Sequence, residues 1–371
     1  MVKSEIHMKV KVWKFLGLIF ILIVSLQTIN LVSAIGVTDN ITSGTEYGGH
    51  YGIAYDYGKG EMFITNVDFN SVTVISDVSH AVVANVSVGS LPYGIVYDSG
   101  RGELFVANYG DNSVSVISDS TNTVVASIAV GLQPSALAYD SVKDEMFVAN
   151  FNSSSVSVIS DSNYSIVATV HVGSQPCALA YDNVAGEIYV GHAMGNEVLV
   201  ISDSTNKVVA NVTVGSQPAS LTYDSAKNEI FVANHNSSSV SVISDSQKTV
   251  VATVPVGKNP IALDYAAKRG EIYVANYNTS SVSVISDSNN SLVATFPLQI
   301  PPLNLAYDAG RNEVFIIHSE TNVVSVISDS PNATSLLSDK PQFPQETLYI
   351  IVIVAVAVII AGAVLAIKRR M

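Results

Sequence analysis

Two histidines and three carboxylates stand in loops where they could act together on a metal ion: His50, Asp68, Asp111, His318 and Glu320. Imidazole nitrogens and carboxylate oxygens are ligands that divalent cations accept. The five belong to the last, first and second of seven sequence repeats, which become neighbours if the repeats close into a ring. We therefore predict a candidate cation site there and no other cofactor. The alternative is ordinary variation in solvated loops.

Other polar residues recur in every repeat, which indicates structure more than catalysis. A catalytic site needs a few residues in unequal environments, whereas a sevenfold set is equivalent by construction. We interpret the recurring Tyr-Asp pairs as packing plus an Asx-type turn, and the recurring glutamates as turn and strand-end contacts on one face of a ring. These glutamates are Glu61, Glu103, Glu145, Glu187, Glu229, Glu271 and Glu313.

An asparagine ends the second predicted strand of five repeats, where we expect it to bond the neighbouring loop. Histidine takes its place in the fourth and seventh repeats, as His192 and His318. The asparagines are Asn66, Asn108, Asn150, Asn234 and Asn276.

No catalytic signature is present in the sequence. It contains no G-x-S-x-G, H-E-x-x-H, C-x-x-C, P-loop or haem-attachment pattern. The single cysteine, Cys177, excludes an intrachain disulfide, and we interpret it as a small buried apolar residue. The sequence therefore predicts that the chain is not an enzyme.

The elements that must position these residues follow from an exact internal repeat. A tyrosine returns every 42 residues without an insertion, with Ile-Ser-Asp twenty residues behind each one. Self-similarity at this period is typical of solenoids and propellers. The tyrosines are Tyr55, Tyr97, Tyr139, Tyr181, Tyr223, Tyr265 and Tyr307, and Asp follows all but Tyr265.

Each repeat has the pattern of four short strands. In the third repeat, runs rich in Val, Ile, Phe and Tyr cover residues 136–139, 145–149, 156–159 and 166–170, separated by Gly, Pro, Asn, Asp and Ser. Four strands in 42 residues correspond to one blade of a β-propeller. The sequence therefore predicts an all-β, seven-bladed propeller over residues 35–330.

The seventh repeat lacks a convincing fourth strand, and an unassigned segment at residues 35–46 precedes the first tyrosine repeat. A missing strand at one end and a spare segment at the other favour closure of the ring by the N-terminal segment. Because that segment is a poor strand by composition, residues 334–337 remain the alternative. Closure removes the exposed sheet edges of an open array.

The runs at residues 103–108 and 271–276, Glu-Leu-Phe-Val-Ala-Asn and Glu-Ile-Tyr-Val-Ala-Asn, resemble the YVTN repeat, as do Ser-Val-Ser-Val-Ile-Ser-Asp and Val-Gly-Ser-Gln-Pro. This resemblance covers about residues 48–330. It implies a β-propeller of the kind found in archaeal surface-layer proteins. Because lactonase-like enzymes share the propeller, the resemblance is specific for fold and weak for function.

Both ends of the chain indicate export and anchoring. Residues 1–34 have the basic region, apolar run and Val-Ser-Ala cleavage site of a signal peptide, with an uncleaved anchor helix as the alternative. Residues 331–346 contain three prolines and predict an extended stalk. Residues 347–367 predict a transmembrane helix, and the basic tail at 368–371 is expected to stay cytoplasmic. The propeller would then lie outside the cell.

The charge of the predicted external part excludes one class of partner. Removing the leader's four lysines and one glutamate, and the tail's three basic residues, from the 31 acidic and 18 basic residues leaves a net charge of −19. That sign disfavours nucleic-acid binding.

Nine Asn-X-Ser/Thr sequons predict glycosylation if the propeller is exported. They are Asn40, Asn85, Asn152, Asn163, Asn211, Asn236, Asn278, Asn289 and Asn332.

Two functional hypotheses follow. The first is a non-catalytic surface-layer, structural or adhesion module, held by the membrane and contacting other cell-surface proteins or glycans. The alternative is a lactonase-like or other hydrolytic propeller that acts at the mouth of the channel.

Overall fold

A computed structural model describes residues 36–42, 49–319 and 321–328. The predicted signal peptide, stalk, membrane helix and tail lie outside these ranges, as do Glu320 and Asn332. Within the ranges the helical content is one 3-10 turn, Val67–Phe69, and no helix there has the length and apolarity of a membrane span.

The described chain forms seven sheets of four antiparallel strands each. Blade 7 contains the N-terminal strand β1, and the other blades each take four consecutive strands. The strands are β1 Gly36–Thr42; in blade 1, β2 His50–Asp56, β3 Glu61–Asn66, β4 Ser71–Ser76 and β5 Val82–Ser87; in blade 2, β6 Pro92–Asp98, β7 Glu103–Asn108, β8 Ser113–Ser118 and β9 Thr123–Ala129; in blade 3, β10 Pro134–Asp140, β11 Glu145–Asn150, β12 Ser155–Ser160 and β13 Ser165–His171. They continue as β14 Pro176–Asp182, β15 Glu187–His192, β16 Glu197–Ser202 and β17 Lys207–Thr213 in blade 4; β18 Pro218–Asp224, β19 Glu229–Asn234, β20 Ser239–Ser244 and β21 Thr249–Pro255 in blade 5; β22 Pro260–Ala266, β23 Glu271–Asn276, β24 Ser281–Ser286 and β25 Ser291–Pro297 in blade 6; and β26 Pro302–Asp308, β27 Glu313–His318 and β28 Val323–Ser328 in blade 7.

The first strand of each blade packs against the first strand of the next, and β26 of blade 7 packs against β2 of blade 1. The seven blades therefore close into a ring around a central channel, which confirms the predicted seven-bladed propeller. Blades 1 to 6 follow the predicted order of four sequential strands, with the first innermost.

The seventh blade is completed from the N-terminus. Strand β1 pairs antiparallel with β28, from Gly36 opposite Ser328 to Thr42 opposite Val323. The hydroxyl of Ser325 donates to Asn40 Oδ1 at 2.8 Å across this pair. The favoured closure by the N-terminal segment is thus confirmed, although the strand occupies only part of residues 35–46. The alternative segment at 334–337 lies outside the described residues.

The core lies between neighbouring blades, where the second and third strands of each blade are buried. Every residue of β7 is buried, as the uninterrupted apolar run predicts for a strand covered on both faces. Phe147 of blade 3 packs in one cluster with Ile188 and Ile201 of blade 4. Burying a side chain of this size stabilises the fold by about 1.5–3 kcal/mol, so the contacts between blades hold the ring together.

Hydrogen bonds at the strand ends explain the recurring polar residues. Asp56 Oδ1 accepts from the backbone N–H groups of Gly58, at 2.8 Å, and Lys59, at 3.2 Å, which confirms the predicted Asx-type turn. Four of the glutamates, Glu103, Glu187, Glu229 and Glu313, contact the next blade. The hydroxyl of Tyr164, 61 residues further along the chain, donates to Glu103 Oε1 at 2.7 Å. Their predicted structural role is confirmed, and it includes linking adjacent blades.

The recurring asparagines differ from the prediction. Asn108 is fully buried, and its Nδ2 donates to Ser113 Oγ at 3.0 Å and Ser115 Oγ at 2.9 Å on the adjacent strand β8. The same pair of bonds recurs at the other four asparagines. The asparagine therefore joins two strands of its own blade. The expected bond to a neighbouring loop is wrong, because the amide nitrogen donates to two hydroxyls of the third strand, which belong to serines except for Thr73 in blade 1.

Candidate functional site

The two histidines predicted as metal ligands are buried at blade 7 and blade 1. His318 is 1% exposed; its Nε2 lies 2.8 Å from Ser325 Oγ and its Nδ1 lies 3.1 Å from the carbonyl oxygen of Ile300. His50 is fully buried and is paired with Asn66 in the sheet register. Burial lowers the pKa of both imidazoles, and the nearby charge of His318 lowers that of His50 further.

The two described carboxylates of the same set serve the loops that enter the first strands. Asp68 Oδ2 accepts from the backbone N–H of Gly49 at 3.0 Å, and Asp111 Oδ2 accepts from that of Ser90 at 2.5 Å. In blades 3 and 5, Ser153 and Ser237 accept the equivalent bond from Leu132 and Ser216. Ser153 and Ser237 are the equivalents of Asp111, so a serine hydroxyl makes the bond of Asp111 in these two blades, and this position has a structural use there.

These residues do not assemble into a cation site among the described parts of the chain. No three of His50, Asp68, Asp111 and His318 place ligand atoms within 4.8 Å of one another. Glu320, the fifth member, lies outside the described ranges. Their role as metal ligands stays a prediction, and the positions of the four described residues give it no support.

The structure instead assembles an aromatic ladder at the mouth of the channel, formed by Tyr51, Tyr93, Tyr109 and Phe151. Tyr51 and Tyr93 are stacked with ring centroids 4.2 Å apart and planes at 17°, and Tyr93 and Tyr109 are stacked at 4.5 Å and 18°. Phe151 follows at 6.4 Å, tilted by 52°. The ladder therefore runs continuously across blades 1, 2 and 3.

The first two rings lie at a bulge that every blade has near the start of its first strand. In β2 the step from His50 to Ile53 lies opposite the shorter step from Asn66 to Ile64, and β6 does the same from Pro92 to Ile95, so each strand contains one extra residue. The first strands of the other blades contain the same single-residue bulge. Such bulges turn side chains out of the regular alternation. Tyr51 and Tyr93 lie within these bulges.

Glycine next to each tyrosine allows the blades to approach. A Cβ at Gly52 would lie 2.2 Å from the carbonyl oxygen of Tyr93, and one at Gly94 would lie 2.7 Å from that of Ser135. Thr65 joins the same strands, because its Oγ1 accepts from the Gly52 N–H at 2.7 Å and donates to the Tyr93 carbonyl at 2.9 Å. The backbones that carry Tyr51 and Tyr93 are thus held close to each other and to the first strand of blade 3.

The ladder borders a cavity of about 480 Å³ that is lined by the first strands of all seven blades. Blades 4, 5 and 7 contribute polar groups to its wall, namely Cys177, Gln217, His235 and Asn304. A concave site with aromatic walls and a few polar groups is typical of small-ligand binding.

Burial holds the proton on two groups of the cavity wall, the Cys177 thiol and the Tyr51 hydroxyl. Burial raises the pKa of the Cys177 thiol to about 12. Burial, with smaller contributions from Tyr93, Cys177 and Tyr109, raises the pKa of the Tyr51 hydroxyl to about 12. A nucleophilic cysteine needs a lowered pKa, so the wall favours binding over covalent chemistry.

The signal for this site was present in the sequence as a departure from the repeat. At the position of Tyr51 and Tyr93, the other five repeats carry Ser135, Cys177, Ala219, Ile261 and Leu303. Sequence reasoning missed the pair because it searched for departures among charged residues and histidines.

All eight described sequon asparagines are exposed, as the predicted glycosylation requires. Asn152, Asn236 and Asn278 follow the second strands of blades 3, 5 and 6, at the end of the ring that carries the ladder. The corresponding loops of blades 1 and 2, beside Tyr51 and Tyr93, carry no sequon.

Comparison with known proteins identifies the fold and nothing finer. No protein-family model matches the chain, and no curated protein matches it. Solved structures that match are numerous, at 1746 chains, so the fold does not indicate one activity. One is described as Kuenenia stuttgartiensis hydrazine synthase, with 17% identity, a TM-score of 0.68, and coverage of 76% of this chain and 96% of that one. At this identity the likeness shows the propeller fold alone.

Proposed function

We propose that the chain is a non-catalytic, membrane-anchored cell-surface module that binds glycans at the mouth of its propeller. The observation that carries the proposal is the stacked ladder of Tyr51, Tyr93 and Tyr109 beside a cavity of about 480 Å³. Tyrosine supplies a large, rigid apolar face with a polar end, which suits the faces and hydroxyls of sugar rings. Tyr51 is 41% exposed, which leaves ring surface for a ligand.

Two polar groups of the cavity wall complete a carbohydrate site. Gln217 and Asn304 each offer an amide that both donates and accepts, which is the pairing that sugar hydroxyls need. One Asn304 Nδ2 hydrogen already donates to the carbonyl of Tyr51 at 3.0 Å, so this residue also positions the ladder. Its Oδ1 accepts from the Leu305 N–H at 2.8 Å, which leaves one N–H and one oxygen lone pair for a ligand. The loops of blades 1 and 2, beside Tyr51 and Tyr93, carry no sequon, whereas Asn152 directly follows Phe151, so the end of the ladder at Tyr51 is the one that N-linked glycans leave free.

The location of the module is proposed from the sequence. The leader at residues 1–34 and the uncharged segment at 347–367, followed by Lys368, Arg369 and Arg370, support a propeller outside the cell. Exposed sequons support the same side of the membrane. Fractionation that recovered the mature chain from the cytosol would overturn this part of the proposal.

A role in a surface layer is supported by the rim of the ring. The fourth strands of six blades expose a valine at the same position, each about half exposed, which offers apolar area for contacts between molecules. Electron microscopy of isolated envelopes tests whether such contacts form a lattice. These valines are Val83, Val125, Val167, Val209, Val251 and Val293.

A glycan array probed with the full chain in mild detergent tests the binding proposal. We expect a defined set of glycans to bind, and Tyr51→Ala to weaken binding of the best one about tenfold or more, because the stacking surface is lost. Tyr57→Ala is the matched control, since Tyr57 is 63% exposed and lines the other opening of the channel. Equal loss in both variants, or no glycan bound, would refute the proposal.

The non-catalytic part is tested with ester and lactone substrates. We expect the wild-type chain to be as inactive as His318→Ala and Asp68→Ala, because His318 is committed to Ile300 and Ser325. Turnover by the wild type that either variant abolishes would favour the hydrolytic alternative.

A further inference from the structure

Carboxylates from neighbouring blades meet at the end of the ring opposite the aromatic ladder. The aspartate that ends the first strand of one blade faces the aspartate that follows the third strand of the next. At the interface of blades 2 and 3 this pair is Asp98 and Asp161, and Glu103 lies beside them. One oxygen of each of these three residues lies within 4.8 Å of the others. Among the described residues, no other group of three or more His, Cys, Asp or Glu side chains has its ligand atoms within that distance of one another.

All three side chains are removed from solvent. Asp98 is fully buried, Asp161 is 2% exposed and Glu103 is 8% exposed. Asp98 Oδ1 accepts the Asx-turn bond from the Gly100 N–H at 2.8 Å. Its other oxygen, Oδ2, is buried without a hydrogen-bond partner in the described structure. An unpartnered buried carboxylate oxygen is costly. The equivalent oxygen is also unpartnered in Asp56, Asp140, Asp182, Asp224 and Asp308, but among the described residues only Asp98 combines it with two further carboxylates close enough to share one ligand.

The negative charge of the three carboxylates is only partly balanced by the single basic residue beside them, Arg101. Arg101 Nε lies 3.0 Å from Asp161 Oδ1 and 3.3 Å from Glu103 Oε2, at ion-pair distance but without hydrogen-bond geometry. Three ionised carboxylates and one guanidinium leave two negative charges in a buried place. A proton or a metal ion must compensate them.

The ligand atoms select the class of ion. The group offers only carboxylate oxygens, which hard cations prefer, and no nitrogen or sulfur for zinc. Ca²⁺ binds oxygens at about 2.3–2.6 Å, so two oxygens on one ion lie up to about 5 Å apart. The 4.8 Å limit on this group agrees with that span.

We propose that Asp98, Glu103 and Asp161 bind one hard divalent cation of the calcium class, which bridges blades 2 and 3. The site differs from the histidine-containing one predicted from the sequence. The equivalent set at blades 4 and 5 supports the idea, because Lys248 inserts its ammonium between Glu187 and Asp245 there. At blades 2 and 3 the residue equivalent to Lys248 is Tyr164, which carries no charge.

Calorimetric titration of the full chain with Ca²⁺, after treatment with a chelator, tests the proposal. We expect one saturable site and a rise in melting temperature on adding Ca²⁺. Tb³⁺ gives a second readout, because Tyr164, which bonds Glu103, is close enough to sensitise its luminescence. Asp161→Asn and Glu103→Gln are expected to weaken Ca²⁺ binding on the order of tenfold or more.

Asp203→Asn is the matched control, because Asp203 is the equivalent of Asp161 one blade further on, pairs with a basic residue in the same way, and belongs to no group of three ligand atoms within 4.8 Å in the described residues. This variant is expected to keep wild-type Ca²⁺ affinity. The proposal is overturned if the wild type shows neither saturable heat nor a thermal shift, or if Asp161→Asn and Asp203→Asn weaken binding equally. Glu103→Gln decides the matter if Asp161→Asn does not fold.

Discussion

At the residue scale, Cys177 shows how burial makes a potentially nucleophilic side chain unreactive. The thiol lines the channel and donates to the carbonyl oxygen of Pro218 at 3.5 Å. Its pKa is raised to about 12 by burial. The thiolate, which is the reactive form, is therefore scarce at neutral pH.

We predict that the native chain reacts with iodoacetamide at pH 8 at least about 100-fold more slowly than the chain unfolded in guanidinium, because unfolding restores an ordinary thiol pKa. The single cysteine makes the labelling stoichiometry unambiguous. Native labelling as fast as unfolded labelling would contradict the assignment of Cys177 as an inert wall residue.

Asp264 is a second residue whose environment changes its ionisation. It belongs to β22, two residues before Ala266, where the other repeats have the Asx-turn aspartate. Its carboxylate accepts from the N–H groups of Tyr265, at 2.9 Å, and Tyr307, at 2.8 Å, and so joins blades 6 and 7. Burial raises its pKa to about 6.

A raised pKa means that the folded state holds the proton more tightly than the unfolded state does. Ionisation of Asp264 therefore costs stability above about pH 6, and this cost disappears as the pH falls towards 4. We predict that the unfolding free energy of the wild type rises, relative to that of Asp264→Asn, by up to about 2 kcal/mol between pH 7 and pH 4, allowing for screening by solvent. Denaturant unfolding at several pH values measures the difference, and a difference independent of pH would disprove it.

At the element scale, the turn between the first and second strands requires the same backbone conformation in every blade. The fourth residue after the end of the first strand has a positive φ in all seven repeats. Glycine, asparagine and aspartate are the residues least strained in that conformation. These residues are Gly60, Gly102, Asp144, Gly186, Asn228, Gly270 and Asn312.

We predict that Gly60→Ala destabilises the chain by about 1–3 kcal/mol, because φ is +70° and the new Cβ would lie 2.7 Å from Asp77 Oδ1. Gly173→Ala is the control, since φ is +87° there but no atom lies within 4 Å of the added Cβ. It is expected to cost about 1 kcal/mol from backbone strain alone. Thermal unfolding that ranked Gly173→Ala as the more harmful change would contradict this account of the turn.

The closing strand β1 is the other element on which the ring depends. Ile41 is 5% exposed and packs with Ile53 of blade 1 and Ile317 of blade 7. We predict that Ile41→Ala costs about 2–4 kcal/mol, as for other buried isoleucines. Thr42→Ala, at an exposed position of the same strand, is expected to change stability by less than about 0.5 kcal/mol. Equal effects in chemical denaturation would argue against β1 as the strand that closes the ring.

At the scale of the whole molecule, the sequence was sufficient for the architecture because the repeat is regular. Tyrosines 42 residues apart and four apolar runs per unit predict both the number of blades and the order of strands. The closing strand was predictable as a missing element at one end, although its composition gave two candidates.

The functional surfaces were less predictable, because they depend on which departures from the repeat meet in space. The bulges at Tyr51 and Tyr93 come from strand pairing within a blade, and the distance between Asp98 and Asp161 comes from pairing of neighbouring blades. A single sequence shows the residues but not this pairing. The repeat also hid the carboxylate group, since each of its aspartates has equivalents in other blades.

A ring with an aromatic mouth at one end and carboxylate pairs at the other presents two chemically different surfaces. The central claim is that ligands bind at the aromatic end. A cryo-EM or crystal structure of the chain with the glycan that binds best on the array tests this most directly. The account predicts a sugar ring stacked against Tyr51 and within hydrogen-bond distance of Gln217 or Asn304. A glycan bound at the rim or at the opposite opening near Tyr57 would contradict it.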